Sequence, residues 1–178
     1  MSPKATPVSA IAAVTLADFT SPGLMVPQLR GRDAASVIQE LSQLLQQEKR
    51  IPDLLPFYHT ALNREFMVGT DMEAGMAFPH ARLPALKEVS FALGRSEAPL
   101  AWGANPAGSV RLVFLLAVPA TDATQYLLLI SGLARLAKDP RLVEELHAAR
   151  DAGQLMAVLK QIELRTCSPS NLGRKAVA

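Results

Sequence analysis

The sequence predicts an α/β fold, a single-domain sandwich in which helices flank a mixed β-sheet. Apolar residues make up 49% of the 178 residues and charged residues 19%, the balance of a globular chain with a sizeable core. Residues 112–118 are continuously apolar, as expected for a central strand buried on both faces. Helical periodicity lies on both sides of the strand region. The resulting order α, α, β, β, β, α, α, α favours helices packed on a sheet.

Five helices are predicted from apolar spacing and end signals. The first begins at Asp33, a good N-cap, and its leucines and other apolar residues recur on one face. The second follows the break at Ile51-Pro52, and Arg64 lies in its last turn. A third starts after the stop and cap formed by residues 119–122. The predicted helices cover residues 33–49, 53–66 and 123–138, a short stretch from Asp139-Pro140, and residues 154–164.

Three strands are predicted, over residues 76–78, 89–93 and 112–118. Residues 89–93 alternate apolar and small side chains, which is typical of a half-buried strand. Residues 67–75 contain two glycines and no apolar period, so we expect a loop there. Proline cannot donate to a strand ladder, so Pro79 should end pairing and leave His80 exposed at a strand end.

Composition limits the compartment and the classes of partner. The single cysteine, Cys167, excludes an internal disulfide and a multi-cysteine metal site, and it fits the reducing cytoplasm. No stretch reaches the ~18 apolar residues of a membrane helix, and residues 8–16 are too mixed for a signal peptide. A net charge of +2 without a basic block argues against nucleic acid. We expect a cytoplasmic domain over residues 16–164, a mobile lead-in over 1–15 and a disordered tail over 165–178.

His80 is the candidate reactive residue. It follows Pro79 on a constrained turn, sixteen residues after Arg64 and two before Arg82. Neutral imidazole is a nucleophile, and its ordinary pKa near ~6.5 keeps a neutral fraction at physiological pH. Arginine presents a planar fork of donors suited to phosphate oxygens. The pattern indicates a histidine that accepts a phosphoryl group, although the same residues also fit a solvated surface. No metal site or cofactor motif is evident.

Two segments carry a family resemblance: 62–65, Leu-Asn-Arg-Glu, and 75–82, Gly-Met-Ala-Phe-Pro-His-Ala-Arg. They resemble the IIA domain of the fructose–mannitol class (type 2) of the bacterial sugar phosphotransferase system, a family that includes the nitrogen-regulatory IIA proteins. The resemblance extends over roughly residues 16–163. It implies the IIA type-2 sandwich, a phosphohistidine at His80 and a neighbouring arginine at Arg64.

The chain departs from the family pattern at two places. Val68-Gly69-Thr70 stands where many members have Gly-Ser-Thr, so Thr70 keeps one hydroxyl. Many members also have a second histidine at the start of the helix after residue 119. Here Gln125 or Tyr126 occupies that region, depending on a one-residue gap. The amide of Gln125 could donate to phosphate without titrating; alternatively, onward transfer is weakened and the protein regulates. The expected phosphate-binding residues are Arg82, Thr70 and Gln125.

The resemblance also implies partners and a reaction. A IIA protein is a phosphotransferase that takes its phosphoryl group from an HPr-like phosphocarrier and passes it to a cysteine-bearing IIB domain in sugar transport. The alternative is a non-enzymatic module whose docking to a transporter or kinase depends on its phosphorylation state, as in nitrogen regulation. A third possibility is a IIA fold that only binds. Because the chain carries no IIB or IIC segment, we expect it to act in trans, which slightly favours the nitrogen-regulatory type.

Overall fold

The computed structural model describes residues 13–72, 74–103 and 109–164. Within these ranges the chain forms five α-helices, six β-strands and two short 3-10 turns, which confirms the α/β class. The predicted tail and most of the predicted lead-in lie outside the described residues. The helices are α1 Ala34–Gln47, α2 Leu54–Met67, α3 Ala123–Ala137, α4 Pro140–Ala148 and α5 Ala152–Leu159. The strands are β1 Met25–Val26, β2 Asp71–Met72, β3 Met76–Ala77, β4 His80–Leu83, β5 Ser90–Arg95 and β6 Leu112–Pro119.

The sheet is mixed and is built around β6. Its order is β1-β5-β6-β3-β2, and β4 also pairs with β6. β5 runs antiparallel to β6, whereas β3 and β4 run parallel to it. All eight residues of β6 are buried, which confirms the predicted central strand. The short strands β1 and β2 were not among the predicted strands: β1 lies in a short apolar run before Pro27, and β2 lies inside the predicted loop 67–75.

The expectation that Pro79 ends strand pairing was wrong. His80 lies three positions after Ala77, and its β6 partner Leu116 lies three positions after Val113, the partner of Ala77. β3 and β4 therefore follow β6 in one continuous register. The missing N–H of Pro79 interrupts the ladder for one step, while its carbonyl still accepts from the N–H of Leu116 at 2.9 Å. His80 therefore begins a strand and is half-buried rather than exposed at a strand end.

The prediction of a half-buried β5 was also wrong, because all six of its residues are buried. The strand is internal to the sheet, between β1 and β6. Its small residues indicate close packing rather than a solvated face: a Cβ built on Gly94 would lie 2.5 Å from Leu29 Cδ2.

Aspartates set the helix starts. The side chains of Asp33, Asp122, Asp139 and Asp151 each accept a hydrogen bond from a backbone N–H of the first turn of α1, α3, α4 and α5. The caps before α1 and α3 were predicted. Asp151 was taken for part of a separator, so the predicted last helix started two residues late and ran past its true end at Leu159.

The two ends of the described domain meet. Thr15 forms an antiparallel bridge with Glu163, and Val14 accepts a backbone hydrogen bond from Leu164 at 2.6 Å. None of the helices in the described residues is both long enough and apolar enough to cross a membrane.

Candidate functional site

The two ring nitrogens of His80 have different partners. Nδ1 lies 3.2 Å from the carbonyl oxygen of Phe78, and Nε2 lies 3.1 Å from Nε of Arg64. A carbonyl only accepts and a guanidinium only donates, so Nδ1 carries the proton and the Nε2 lone pair points at Arg64. His80 is therefore held as the neutral Nδ1–H tautomer, in which Nε2 is the nucleophilic nitrogen.

Burial keeps His80 neutral by lowering its pKa below the ordinary value of 6.5. The hydrogen bond to Phe78 opposes that shift, the charge of Arg64 adds to it, and the charges of Glu65 and Arg82 act in smaller and opposite ways. The net result is that the lone pair stays available below the pH at which an exposed histidine is half protonated. A neutral ring is the form that can attack phosphorus.

His80 opens into a cleft of about 390 Å³ between α2, β4 and α3. Its lining consists of Thr60, Arg64, His80, Arg82, Val118 and Tyr126. This set combines one nucleophile with two permanent positive charges. A larger cavity, of about 470 Å³, lies near Lys49, Lys87 and Ser90. Its lining contains no histidine, and the Ser90 hydroxyl is buried without a hydrogen-bond partner.

The two arginines reach the cleft from different elements. Arg64 projects from the last turn of α2, where a cation is favoured by the helix dipole. Arg82 is two residues beyond His80 on β4, so both side chains leave the same face of the strand. The Arg82 guanidinium carbon lies 5.4 Å from the centre of the Tyr126 ring, a cation–π distance. Two exposed guanidinium groups thus share the cleft with the imidazole.

Tyr126, rather than Gln125, faces His80. The ring centres of Tyr126 and His80 are 6.2 Å apart. Gln125 is exposed, is absent from the cleft lining, and uses its backbone N–H to donate to Asp122. The sequence left both residues open because a one-residue gap decides between them. The Asp122 cap fixes where α3 starts, and with this start Tyr126 is the residue that points at the cleft.

Thr70 also lies outside the cleft lining. Its hydroxyl donates to Oε2 of Glu65 and accepts from the N–H of Phe78 at 3.2 Å. Glu65 is buried and also accepts from the indole N–H of Trp102 at 2.7 Å. Sequence reasoning placed Thr70 on phosphate and gave no role to Glu65 or Trp102. No local pattern could have found this cluster, since Glu65 and Trp102 are 37 residues apart.

In the described part of the chain no group of three or more histidine, cysteine, aspartate or glutamate side chains is arranged to hold a metal ion. The other two histidines do not approach the cleft: His59 is exposed on α2 and His147 is half-buried on α4.

Comparison with known proteins decides the family. Residues 18–162 match the family described as "Phosphoenolpyruvate-dependent sugar phosphotransferase system, EIIA 2". The chain belongs to this family. It is 28% identical over 148 residues to the "Nitrogen regulatory protein" of Bradyrhizobium diazoefficiens, covering 81% of this chain and 94% of the relative. It is 27% identical over 133 residues to the "PTS system fructose-like EIIA component" of Escherichia coli, covering 75% and 89%.

A solved structure supports the same fold. The mannitol IIA enzyme of Escherichia coli, determined in complex with phosphorylated mannitol IIB, superposes with a TM-score of 0.68 at 14% identity, covering 79% of this chain and 96% of that one. Members of the family are phosphotransferase components that work through a phosphohistidine. The chain is thus a IIA-type phosphotransferase domain, and both transport and nitrogen-regulatory relatives resemble it.

Proposed function

We propose that His80 is the phosphorylated residue of this IIA domain. The observation that supports this most strongly is the division of the ring nitrogens: Phe78 holds the proton on Nδ1, and Nε2 faces the cleft beside Arg64. Nε2 attacks the phosphorus of a phosphohistidine donor in line, the donor's P–N bond breaks, and its electron pair returns to the donor imidazole. The transition state is loose, so positioning and charge balance supply most of the catalysis.

The same geometry favours onward transfer. When Nε2 takes the phosphoryl group, Nδ1 keeps its proton and the ring becomes a phosphoimidazolium whose N–H still donates to Phe78. Attack by a later acceptor then expels a neutral imidazole, which is a good leaving group. Arg64 releases Nε2 and donates instead to a phosphoryl oxygen, with Arg82 as the second cation.

We propose a protein donor of the HPr type rather than a small molecule. Large apolar side chains are exposed beside the cleft: Phe66 is 73% exposed and Met67 83%, just after Arg64, and Leu127 is 63% exposed beside Tyr126. Such residues are favoured where two proteins meet around an exposed reactive group. The complex of mannitol IIA with phosphorylated IIB supports a IIB domain as acceptor. Since phosphoenolpyruvate, the ultimate donor, is an intracellular metabolite, we expect the protein to act in the cytoplasm.

A regulatory role is the second candidate. A relative called nitrogen regulatory protein aligns over 94% of its own length. Tyr126 lines the cleft, in the region where the family resemblance implies a second histidine in many members. In this role the phosphorylation state of His80 would control docking to a transporter or kinase. Mixing the phosphorylated protein with IIB domains separates the two roles: rapid, complete loss of label supports transport, and a label that persists with every IIB domain supports regulation.

The phosphorylation proposal is tested by incubating the protein with Enzyme I, HPr and phosphoenolpyruvate and mapping phosphate by mass spectrometry under non-acidic conditions. We expect one phosphate on His80 and none in His80→Ala, which should fold normally because the ring is half-exposed at the start of β4. His59→Ala, at an exposed helical position, is the matched control and should be labelled as the wild type is. Labelling of His80→Ala would refute the proposal.

A further inference from the structure

Glu65 is a buried carboxylate, 5% exposed, that is compensated by hydrogen bonds. Oε1 accepts from the backbone N–H of Thr70 at 2.9 Å and from the indole N–H of Trp102 at 2.7 Å, and Oε2 accepts from the Thr70 hydroxyl. The ion pairs found among the described residues involve other glutamates. Burying a carboxylate is costly, and an apolar side chain of similar size would fill this space at lower cost. The arrangement therefore calls for a role beyond packing.

Hydrogen bonds at the N–H and at the carbonyl of Phe78 connect Glu65 with His80. The Thr70 hydroxyl that donates to Glu65 accepts from the N–H of Phe78 at 3.2 Å, and the Thr70 carbonyl accepts from the same N–H at 3.3 Å. The carbonyl of Phe78 accepts from Nδ1 of His80 at 3.2 Å. Trp102, 1% exposed, anchors the far end. The N–H and the carbonyl of Phe78 belong to neighbouring peptide groups joined at its Cα. Thr70 therefore acts by fixing the backbone of Phe78, and with it the direction of the carbonyl that accepts from His80.

From these hydrogen bonds we infer that Glu65 is a positioning residue for phosphoryl transfer, which acts through Thr70 and Phe78 to hold His80 as the Nδ1–H tautomer. The inference rests on the proposed function of His80. Adjacent residues of α2 then control opposite nitrogens of one ring: Arg64 contacts Nε2 directly, and Glu65 acts on Nδ1 through two intermediates. Neighbours on a helix point about 100° apart, so one faces the cleft and the other the interior.

The first test removes the middle link. Thr70→Val keeps the shape of the side chain and the charge of Glu65 but deletes the hydroxyl, whereas Thr70→Ser keeps the hydroxyl. We expect Thr70→Val to slow phosphorylation by HPr about 10-fold, the usual cost of losing a group that orients a reactive imidazole, and Thr70→Ser to stay close to wild type. Nitrogen-15 NMR of His80 should show the Nε2–H tautomer appearing in Thr70→Val alone.

A matched control separates positioning from stability. Thr20→Val deletes another buried threonine hydroxyl, which donates to the carbonyl of Phe91 at 2.7 Å away from the cleft. It should destabilise the fold without changing the His80 tautomer. Unchanged tautomer and rate in a folded Thr70→Val variant would overturn the inference. The tautomer is read without any phosphorylation, so an unlabelled wild type would refute the proposed function and leave this measurement valid.

Glu65→Gln tests the first residue of this hydrogen-bonded connection, and it provides the test if Thr70→Val does not fold. The charged groups around His80 are Arg64 and Glu65 from α2 and Arg82 from β4, with the phenol of Tyr126 from α3. Because the Glu65 charge raises the pKa of His80, the glutamine variant should lower that pKa further and also slow phosphorylation. If Glu65→Gln changes neither the pKa of His80 nor its rate, Glu65 serves the packing alone and the inference fails.

Discussion

The two ring nitrogens of His80 have different partners, and the proposed phosphoryl transfer depends on that difference. The carbonyl of Phe78, just before Pro79, accepts a hydrogen bond from Nδ1–H, and the guanidinium of Arg64 from α2 donates to Nε2. Both contacts use groups that cannot reverse their role: a carbonyl never donates, and a guanidinium does not accept. While Phe78 and Arg64 are held in place, these contacts favour the Nδ1–H tautomer, and burial favours the neutral ring by lowering the pKa of His80.

Arg64→Ala should slow phosphorylation of His80 without removing the site. A single guanidinium that stabilises developing charge contributes ~2–4 kcal/mol to a transition state, so we expect a rate about 30-fold to 10³-fold lower. Rapid-quench measurement of label transfer from phosphorylated HPr gives the rate. Arg64→Lys keeps the charge but loses the planar fork, and should fall between the wild type and the alanine variant. A wild-type rate in Arg64→Ala would reduce Arg64 to a helix-end cation.

Substitutions at Tyr126 should distinguish the contribution of its aromatic ring from that of its hydroxyl group. If the ring mainly holds Arg82 through the 5.4 Å cation–π contact, Tyr126→Phe retains activity and Tyr126→Leu loses about 0.5–2 kcal/mol of transition-state stabilisation. Gln125→Ala is the control and should transfer phosphate normally, since Gln125 is exposed and outside the cleft lining. The measurement is the rate of label transfer from phosphorylated HPr to His80. A larger loss in Gln125→Ala than in Tyr126→Leu would show that the amide, not the ring, contacts phosphate.

Among the secondary-structure elements, α2 contributes several residues with different surroundings at and beside the cleft. Its last turn supplies Arg64 to the cleft and Glu65 to the interior, and it ends in the exposed apolar residues Phe66 and Met67. Leu55 is also exposed, 64%, but it lies in the first turn, eleven residues before Phe66. At 1.5 Å per residue these two side chains are about 16 Å apart along the axis.

That separation allows a docking test on one helix. Phe66→Ser should slow label transfer from HPr about 10-fold or more, because losing a central aromatic contact costs ~1–2 kcal/mol or above in a protein interface. Leu55→Ser removes a similar exposed apolar side chain at the far end of α2 and should have little effect. Thermal unfolding of both variants checks that neither loses its fold. Equal rates in the two variants would place the donor elsewhere on the surface.

Elements with strong local signals could be predicted, and long-range relations could not. The caps at Asp33 and Asp122 and the apolar run of β6 are local, so α1, α3 and the central strand were found within a few residues. Strand pairing resumes at His80 because β6 continues alongside it, and this neighbour cannot be identified from the residues around Pro79. In the site, His80 and Arg64 belong to a sequence motif and could be singled out. The Glu65–Trp102 contact joins residues from distant segments and could not be predicted.

In the described residues of the whole molecule, the buried core is mostly hydrophobic and contains few polar or charged side chains. The sheet is covered by helices, and the two ends of the described domain are tied together where Thr15 pairs with Glu163. Two half-buried histidines remain that are not held by carboxylates: His80 in the cleft and His147 on α4. The pKa of His147 is lowered by burial, with the charge of Arg111 adding to the shift.

These two histidines predict how stability depends on pH. Both have a pKa below 6.5 in the folded state, so near and below pH 6.5 the unfolded chain binds more protons than the folded one. The free energy of unfolding must therefore rise with pH through this window, and it must fall as pH drops below about 6.5. Urea unfolding at a series of pH values from 5 to 8 measures this slope. His80→Gln and His147→Gln should each reduce it, and the double variant should reduce it most, because neutral glutamine cannot take up a proton in either state. A slope that survives in the double variant would assign the acid sensitivity to the carboxylates instead.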